Sequence, residues 1–245
     1  MRYWLVMPAA GASRRFGGAT PKQYAALCGR TVIEWSLAPF LVDSRCAGAA
    51  IAFAAGDSRQ HDIAQRLPTN FIRVPGGATR VESVRNALDG LAGLAAPTDW
   101  VLVHDSARPC ISAHDVQRLL TVGSEASGAW SSVPRVASGA VLAVPVTDTL
   151  KRSVGSKGSS QDWVQATVSR DMLWRSLTPQ MFRLAELRDA LTVPYGAGGA
   201  PTDEAEAIER RGGRVRLVVG SATNVKVTTE EDLQLAEAIL AVRGS

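Results

Sequence analysis

The chain has 245 residues, 46% apolar and 20% charged, and its 27 basic against 23 acidic side chains leave a formal charge of +4. This is an ordinary globular composition, long enough for one substantial α/β unit with a buried core, and it excludes a disordered chain. The small basic excess suits an anionic small molecule as well as nucleic acid, but the long Lys/Arg block that a nucleic-acid footprint needs is missing. Cys28, Cys46 and Cys110 have no paired spacing, and an odd number argues against a disulfide framework and for a reducing compartment. Strand-like sequence begins almost at Met1, so no targeting segment is expected, and the apolar runs are interrupted too often for a membrane span. A cytoplasmic protein is the expectation.

In chain order, Tyr3–Met7, Gly48–Ala54, Phe71–Val74, Trp100–Val103, Val141–Val144 and Arg214–Val219 read as strands. Several are apolar on both faces, as in a sheet covered by helices on both sides. Helices are predicted over Val32–Leu41, Arg59–Arg66, Val81–Leu94, Ala113–Val122, Leu184–Leu191 and Asp203–Arg210. A closing helix over Thr229–Leu240 has acidic residues in its first turn and an apolar stripe at Leu233, Ala236, Ile239 and Leu240. This alternation predicts a parallel or largely parallel sheet. Val146–Ser169 breaks the rhythm: a Gly/Ser/Lys centre separates two β-prone flanks, and we read it as a two-stranded arm. A lone hairpin is marginal in water, so the arm is expected to pack against something, most economically a partner subunit; the alternative is a disordered surface loop, against which Trp163 and Val164 argue. No internal repeat or linker divides residues 1–245, and one domain is expected.

Ligands of such sheets bind beyond the carboxyl ends of the strands. The segment "PAAGASRRFGGATPKQY" lies there, where Gly11 permits a special backbone conformation or close approach to a ligand. Arg14, Arg15 and Lys22 add cationic donors, so the segment reads as a triphosphate clamp or as a plain basic strand-to-helix turn. Neither the dinucleotide fingerprint nor the Walker loop is present. "PGGATRVESV" is a second glycine turn entering a helix, with Ser83 near its start. "VLVHDSARPC" carries His104, Asp105 and Arg108 toward the same edge; Asp105 suits ribose hydroxyls or magnesium-bound water, Arg108 a phosphate, and His104 a structural role as readily as a ligand-facing one. "PTDEA" starts a helix and reads mainly as architecture. Lys226 lies between valines before the last helix and needs an anionic partner if those valines are buried; a phosphate would serve. No Ser-His-Asp or Cys-His arrangement stands out, and the inventory points to phosphoryl or nucleotidyl transfer driven by cations and magnesium.

The strings "PAAGASRRFGGATPKQY", "VHDSARPC", "PVTDTLKR", "LTPQMFR", "PTDEA" and "NVKVT", in that order from residue 8 to residue 228, resemble 2-C-methyl-D-erythritol 4-phosphate cytidylyltransferases. The resemblance implies a three-layer, Rossmann-like nucleotidyltransferase domain with a projecting dimerisation arm at about residues 146–169. It implies a homodimer whose arms complete each other's sites, and CTP with a polyol phosphate as substrates. The family's catalytic cations fall on Arg15, Lys22 and Lys226. Its nucleotide contacts fall on Pro8, Ala9, Ala10, Gly11 and Ser83, with Asp105 and Ser106 nearby. Its acceptor contacts fall on Arg108, Thr178 and Asp105, with Thr149 and Arg170 supplied by the partner. No protein metal site is assigned; Mg²⁺ is held mainly by CTP, with Asp105 as a possible ligand. The Gly/Ser-rich tip at Gly155–Ser160 departs from the family's pattern, and no second enzyme domain is expected after residue 245. Rivals are a ribitol 5-phosphate cytidylyltransferase, a sugar-1-phosphate nucleotidyltransferase and a regulatory nucleotide-binding module. The last has no need of arginines around a second phosphate.

Overall fold

The computed structural model describes residues 1–13, 16–17, 20–126, 138–154, 163–193 and 199–244. Strand β1 (Tyr3–Ala9) leads through a short 3₁₀ turn (Lys22–Tyr24) and a small hairpin, β2 (Ala26–Leu27) and β3 (Arg30–Thr31), into α1 (Val32–Leu41). There follow β4 (Cys46–Phe53), α2 (Gln60–Gln65), β5 (Phe71–Pro75), α3 (Arg80–Gly90), β6 (Trp100–Val103), α4 (Ala113–Ala126) and β7 (Gly139–Pro145). The second part runs through β8 (Leu150–Val154), β9 (Trp163–Val168), β10 (Trp174–Arg183), α5 (Leu184–Thr192), α6 (Glu204–Glu209), β11 (Val215–Val219) and α7 (Glu230–Gly244).

Seven strands form one sheet in the order β11-β7-β10-β6-β1-β4-β5. Its pairings are parallel except for the two that β10 makes with β6 and β7. The α/β class and the largely parallel sheet are therefore as the sequence predicts. The antiparallel strand β10 is not among the predicted strands. Its centre holds Thr178, Pro179 and Gln180 where an apolar run is expected, and its pairing with β7 shifts register between Ser176 and Gln180.

Both faces of the sheet are covered. Along β1, Tyr3, Leu5 and Met7 pack on one side with Ile33, Leu37 and Phe40 of α1 and Val116 and Leu119 of α4. Val6 points to the other side, into a second core with Val84 and Leu88 of α3, Leu187 of α5 and Ile208 of α6. Alternate residues of one strand thus enter two cores, which makes three layers. Helix α7 closes a smaller cluster over the hairpin, where Ala236 and Leu240 meet Leu27, Cys110 and Val227. No helix among the described residues is long and apolar enough to cross a membrane.

β8 and β9 form the predicted two-stranded arm, paired antiparallel from Leu150↔Val168 to Val154↔Trp163 and separate from the main sheet. Trp163 is 76% exposed, and Val154 and Val164 are also uncovered. The arm tip, residues 155–162, lies outside the described residues.

Candidate active site

The chain passes from β1 out to β4 and β5, then returns through α3 to β6 on the other side of β1. The strand order reverses there, and the crevice beyond the carboxyl ends of β1 and β6 is where such sheets bind ligands. A pocket of about 370 Å³ opens at that point. Three segments line it: Pro8 near the end of β1 with Ala10–Ala12 just after it, Gly77–Arg80 with Ser83 at the start of α3, and Asp105–Ala107 after β6; Lys22, Gln23 and Lys226 add to the wall.

Local hydrogen bonds fix each segment. Gln23 is buried and its Nε2 donates to the carbonyls of Ala9 (2.9 Å) and Gly11 (3.3 Å), folding the first loop back onto the end of β1. The Ser13 hydroxyl accepts the Lys22 backbone N–H at 3.0 Å. Thr79 and Glu82 form a capping box that starts α3. Ser83 Oγ accepts from the Gly77 N–H (3.1 Å) and donates to the Thr79 carbonyl (2.9 Å). Glycine is required in that turn: a Cβ on Gly76 would lie 2.3 Å from Ala10 Cβ, and one on Gly77 would lie 2.2 Å from Glu82 Cβ. Gly11 differs, since an added Cβ would meet nothing within 4 Å and its φ is not positive. The expected special backbone conformation is absent there, and the open approach to a ligand remains. Ser106 Oγ donates to the Pro8 carbonyl at 3.0 Å, tying the ends of β6 and β1 together.

Asp105 is the electrostatic centre. Its Oδ1 accepts from Arg80 Nε (3.2 Å) and Nη2 (3.1 Å), and its Oδ2 accepts from Lys226 Nζ at 2.8 Å. Arg108 Nε stands 3.6 Å from the same Oδ2. Burial works to raise the carboxyl's pKa, but Arg80, Lys226 and Arg108 outweigh it and hold the group well below the usual carboxylate range. Arg80 also grips Glu204, a residue with no exposed surface, through Nη1 to Oε1 (2.5 Å) and Nη2 to Oε2 (3.0 Å). Burial pulls the Arg80 pKa down, yet Glu204 and then Asp105 overcome it and keep it above its ordinary value. Lys22 Nζ donates to the Val227 carbonyl at 2.7 Å, so both lysines meet the segment before α7.

His104 is fully buried. The Asp105 N–H donates to Thr178 Oγ1 at 3.1 Å, and that hydroxyl is 3.0 Å from His104 Nδ1. The Arg108 carbonyl, 3.4 Å from Nε2, can only accept, so Nε2 carries the proton and the neutral ring's Nδ1 accepts from the Thr178 hydroxyl. Burial pushes the imidazole pKa down to about 3, so His104 is a neutral structural residue rather than a ligand-facing one.

A divalent cation would meet a single carboxylate, Asp105, among the described residues lining this pocket. No group of three or more His, Cys, Asp or Glu side chains among the described residues could hold a metal. Asp105 is the carboxylate in the lining, and both its oxygens face cations. Mg²⁺ commonly takes one or two carboxylates together with substrate phosphates and water, which this donor set allows.

The family model for 2-C-methyl-D-erythritol 4-phosphate cytidylyltransferase matches residues 3–242. The chain belongs to this family. It is 47% identical over 243 residues to 2-C-methyl-D-erythritol 4-phosphate cytidylyltransferase of Halorhodospira halophila, covering 98% of this chain and 94% of that one. A protein of the same name from Acidithiobacillus ferrooxidans is 43% identical over 247 residues, covering 99% and 98% of the two chains. Among solved structures, a 4-diphosphocytidyl-2C-methyl-D-erythritol synthase superposes with a TM-score of 0.78 at 34% identity, covering 98% of each chain. The Francisella tularensis 2-C-methyl-D-erythritol 4-phosphate cytidylyltransferase gives 0.77 at 29% identity, covering 98% of this chain and all of the other.

The family's motif positions fall into three groups in this fold. Pro8, Ala10, Gly11, Lys22, Ser83, Asp105, Ser106 and Lys226 line one pocket. Ala9, Arg108 and Thr178 are buried behind that lining: the Ala9 carbonyl is taken by Gln23, Arg108 Nη1 donates to the Asn224 carbonyl at 2.7 Å, and the Thr178 hydroxyl serves Asp105 and His104. Arg108 Nε is buried without a hydrogen-bond partner. Thr149 and Arg170 are exposed at the foot of the arm, where an Arg170 Nη1 donates to the Thr147 carbonyl, and neither lines the pocket. Arg15 lies outside the described residues. Lys226 has Asp105 as its anionic partner, a carboxylate rather than the phosphate the sequence suggests, and of its two flanking valines Val227 is buried and Val225 half-buried. Two residues of this centre were not singled out in the sequence: Arg80, whose role the helix start concealed, and Glu204, read as helix architecture.

Proposed function

We propose that this chain transfers the cytidylyl group of CTP to 2-C-methyl-D-erythritol 4-phosphate, giving 4-diphosphocytidyl-2-C-methyl-D-erythritol and pyrophosphate in isoprenoid precursor synthesis. The observation that carries the reading is the family's nucleotide-side motif positions converging on one crevice in a chain that matches the family from residue 3 to residue 242. An acceptor phosphate oxygen attacks the α-phosphorus of CTP, an O–P bond forms, the bond to the β-phosphate oxygen breaks, and its electron pair leaves with pyrophosphate. No covalent enzyme intermediate is needed. Lys22, Lys226 and Arg15 offset the charge that grows on the transferring group and on the leaving pyrophosphate.

The base and ribose are held by backbone around Pro8–Gly11 and by Ser83, Asp105 and Ser106. Asp105 is the chain's carboxylate for Mg²⁺, which when bound neutralises triphosphate oxygens. Arg108 and Thr178 shape the acceptor side from beneath, and Thr149 and Arg170 reach it from the arm of a partner in a homodimer. The uncovered Trp163, Val154 and Val164 support burial of the arm against that partner. One domain spans the chain, and the three free cysteines suit the cytoplasm. No observation favours ribitol 5-phosphate as acceptor. The test is pyrophosphate release from CTP and Mg²⁺ with each polyol phosphate. Methylerythritol phosphate should have the higher kcat/KM, and a tenfold preference for ribitol 5-phosphate would replace the acceptor while leaving cytidylyl transfer intact.

A further inference from the structure

Arg80 is shared between two carboxylates that do different things. Asp105 lines the pocket, whereas Glu204 has no exposed surface and stands outside the lining. The guanidinium uses Nε and Nη2 on Asp105 Oδ1, and Nη1 and Nη2 on Glu204, so one rigid fork spans both. The far end is itself anchored. Gln180 of β10 accepts the Ala205 N–H at 2.9 Å and donates to Asp203 Oδ2 at 2.8 Å, fastening the start of α6 to the sheet. A continuous path therefore runs from β10 through Glu204 and Arg80 to Asp105, joining residues 124 positions apart in sequence.

A buried ion pair is poor evidence of stabilisation, because removing two charges from water costs about as much as their attraction returns. The use of this one is found in what happens at the other oxygen of Asp105. Lys226 holds Oδ2 at 2.8 Å with its side chain 40% exposed toward the pocket. A triphosphate entering there carries several negative charges and competes for that ammonium group. When Lys226 turns to phosphate, Asp105 keeps Arg80 as its one hydrogen-bonded cation among the described residues, since Arg108 Nε stands 3.6 Å away. Arg80 also lines the pocket and is drawn toward the same phosphates unless something holds it back.

We infer that Glu204 is a positioning residue for the transfer: by gripping Arg80 it keeps Asp105 in place while Lys226 moves from that carboxylate to the nucleotide's phosphates. This rests on the roles given above to Asp105 and Lys226. Without Glu204 the fork of Arg80 loses its countercharge, swings toward the triphosphate and leaves Asp105 unheld. Binding of CTP then survives, because a cation has been added to the phosphate side, and turnover falls.

The test is a double-mutant cycle on kcat and on the KM for CTP with Glu204→Gln, Asp105→Asn and the two combined. Glu204→Gln should lower kcat by about tenfold, the size expected of coupled neighbours, with the KM for CTP unchanged or lower. The same substitution in the Asp105→Asn background should cost little further. If the two losses multiply, Glu204 does not act through Asp105 and the inference fails alone. If Asp105→Asn has full turnover, the reading of Asp105 fails and takes the inference with it. Should Glu204→Gln not fold, Arg80→Lys takes its place, keeping the charge but losing the fork; it should show the same loss in kcat and the same silence in the Asp105→Asn background.

Discussion

The pocket floor and the arm solve opposite problems. From Val101 to Cys110 every residue is buried, and Asp105, Ser106 and His104 are each hydrogen-bonded to other segments of the same chain. The arm shows an exposed tryptophan and valines, and its Lys151 Nζ donates across the pair to Thr167 Oγ1 at 2.7 Å. The described residues of the floor hold one another in place within one chain, the kind of fixed arrangement that can stabilise developing charge. The arm leaves Trp163 and its valines uncovered, and Thr149 and Arg170, the proposed acceptor contacts, lie beside it. On the proposed reading, nucleotide binding belongs to one chain and acceptor binding to two.

The largest effect expected is on the floor. Lys22→Ala should lower kcat by about 10²–10³, as the loss of one preorganised charge-stabilising donor does, with a smaller change in the KM for CTP. Steady-state kinetics on the purified protein checks this, and a change confined to KM would assign Lys22 to ground-state binding.

The second effect concerns stability against acid. His104 is held neutral with its pKa pushed down to about 3, against about 6.5 for an unfolded imidazole. Between those values the unfolded chain binds a proton that the native chain refuses. The contribution is therefore complete above about pH 6.5 and is lost as pH falls, by about 1.4 kcal/mol per pH unit. Urea unfolding from pH 6.5 to pH 5 should show a slope reduced by that amount in His104→Asn. An unchanged slope would mean that His104 titrates normally in the fold.

Legibility in the sequence followed the same division. The strands that enter both cores are apolar runs and were predicted within a few residues, as were the helices whose caps are written locally. The Thr79–Glu82 box starts α3 at Arg80, one residue before the predicted start, and α3 stops at Gly90 rather than running on to Leu94. The strand β10 was not legible, because Pro179 and two polar neighbours interrupt it and its antiparallel place is fixed by β6 and β7. Pocket residues with glycine, lysine or "HDSARPC" signatures could be found from short strings. Arg80 and Glu204 could not, since the meaning of each is its partner far along the chain. The burial of Thr178 and Arg108 was equally hidden, because a motif names residues without saying which way they face.

Two smaller effects sharpen the contrast. Trp163→Ser should weaken self-association by about tenfold or more, the cost of losing an aromatic anchor, while the monomer's thermal stability changes little. Sedimentation equilibrium checks this, and unaltered association would leave the tryptophan without a role at an interface. Thr79→Ala removes the cap of α3 and should cost about 1 kcal/mol in chemical unfolding. A loss much below that would mean that Glu82 and Ser83 fix the turn alone.

The measurement closest to the central claim mixes two proteins that are each inactive, Lys22→Ala and Arg170→Ala, after subunit exchange has been verified with differently tagged chains. In a mixed dimer one site has an intact floor and receives an intact arm, and the other combines both lesions. The account predicts that pyrophosphate release from CTP and methylerythritol phosphate returns, approaching half the wild-type turnover per mixed dimer. Exchange without any return of activity would contradict it, and would mean that floor and arm serve the same chain.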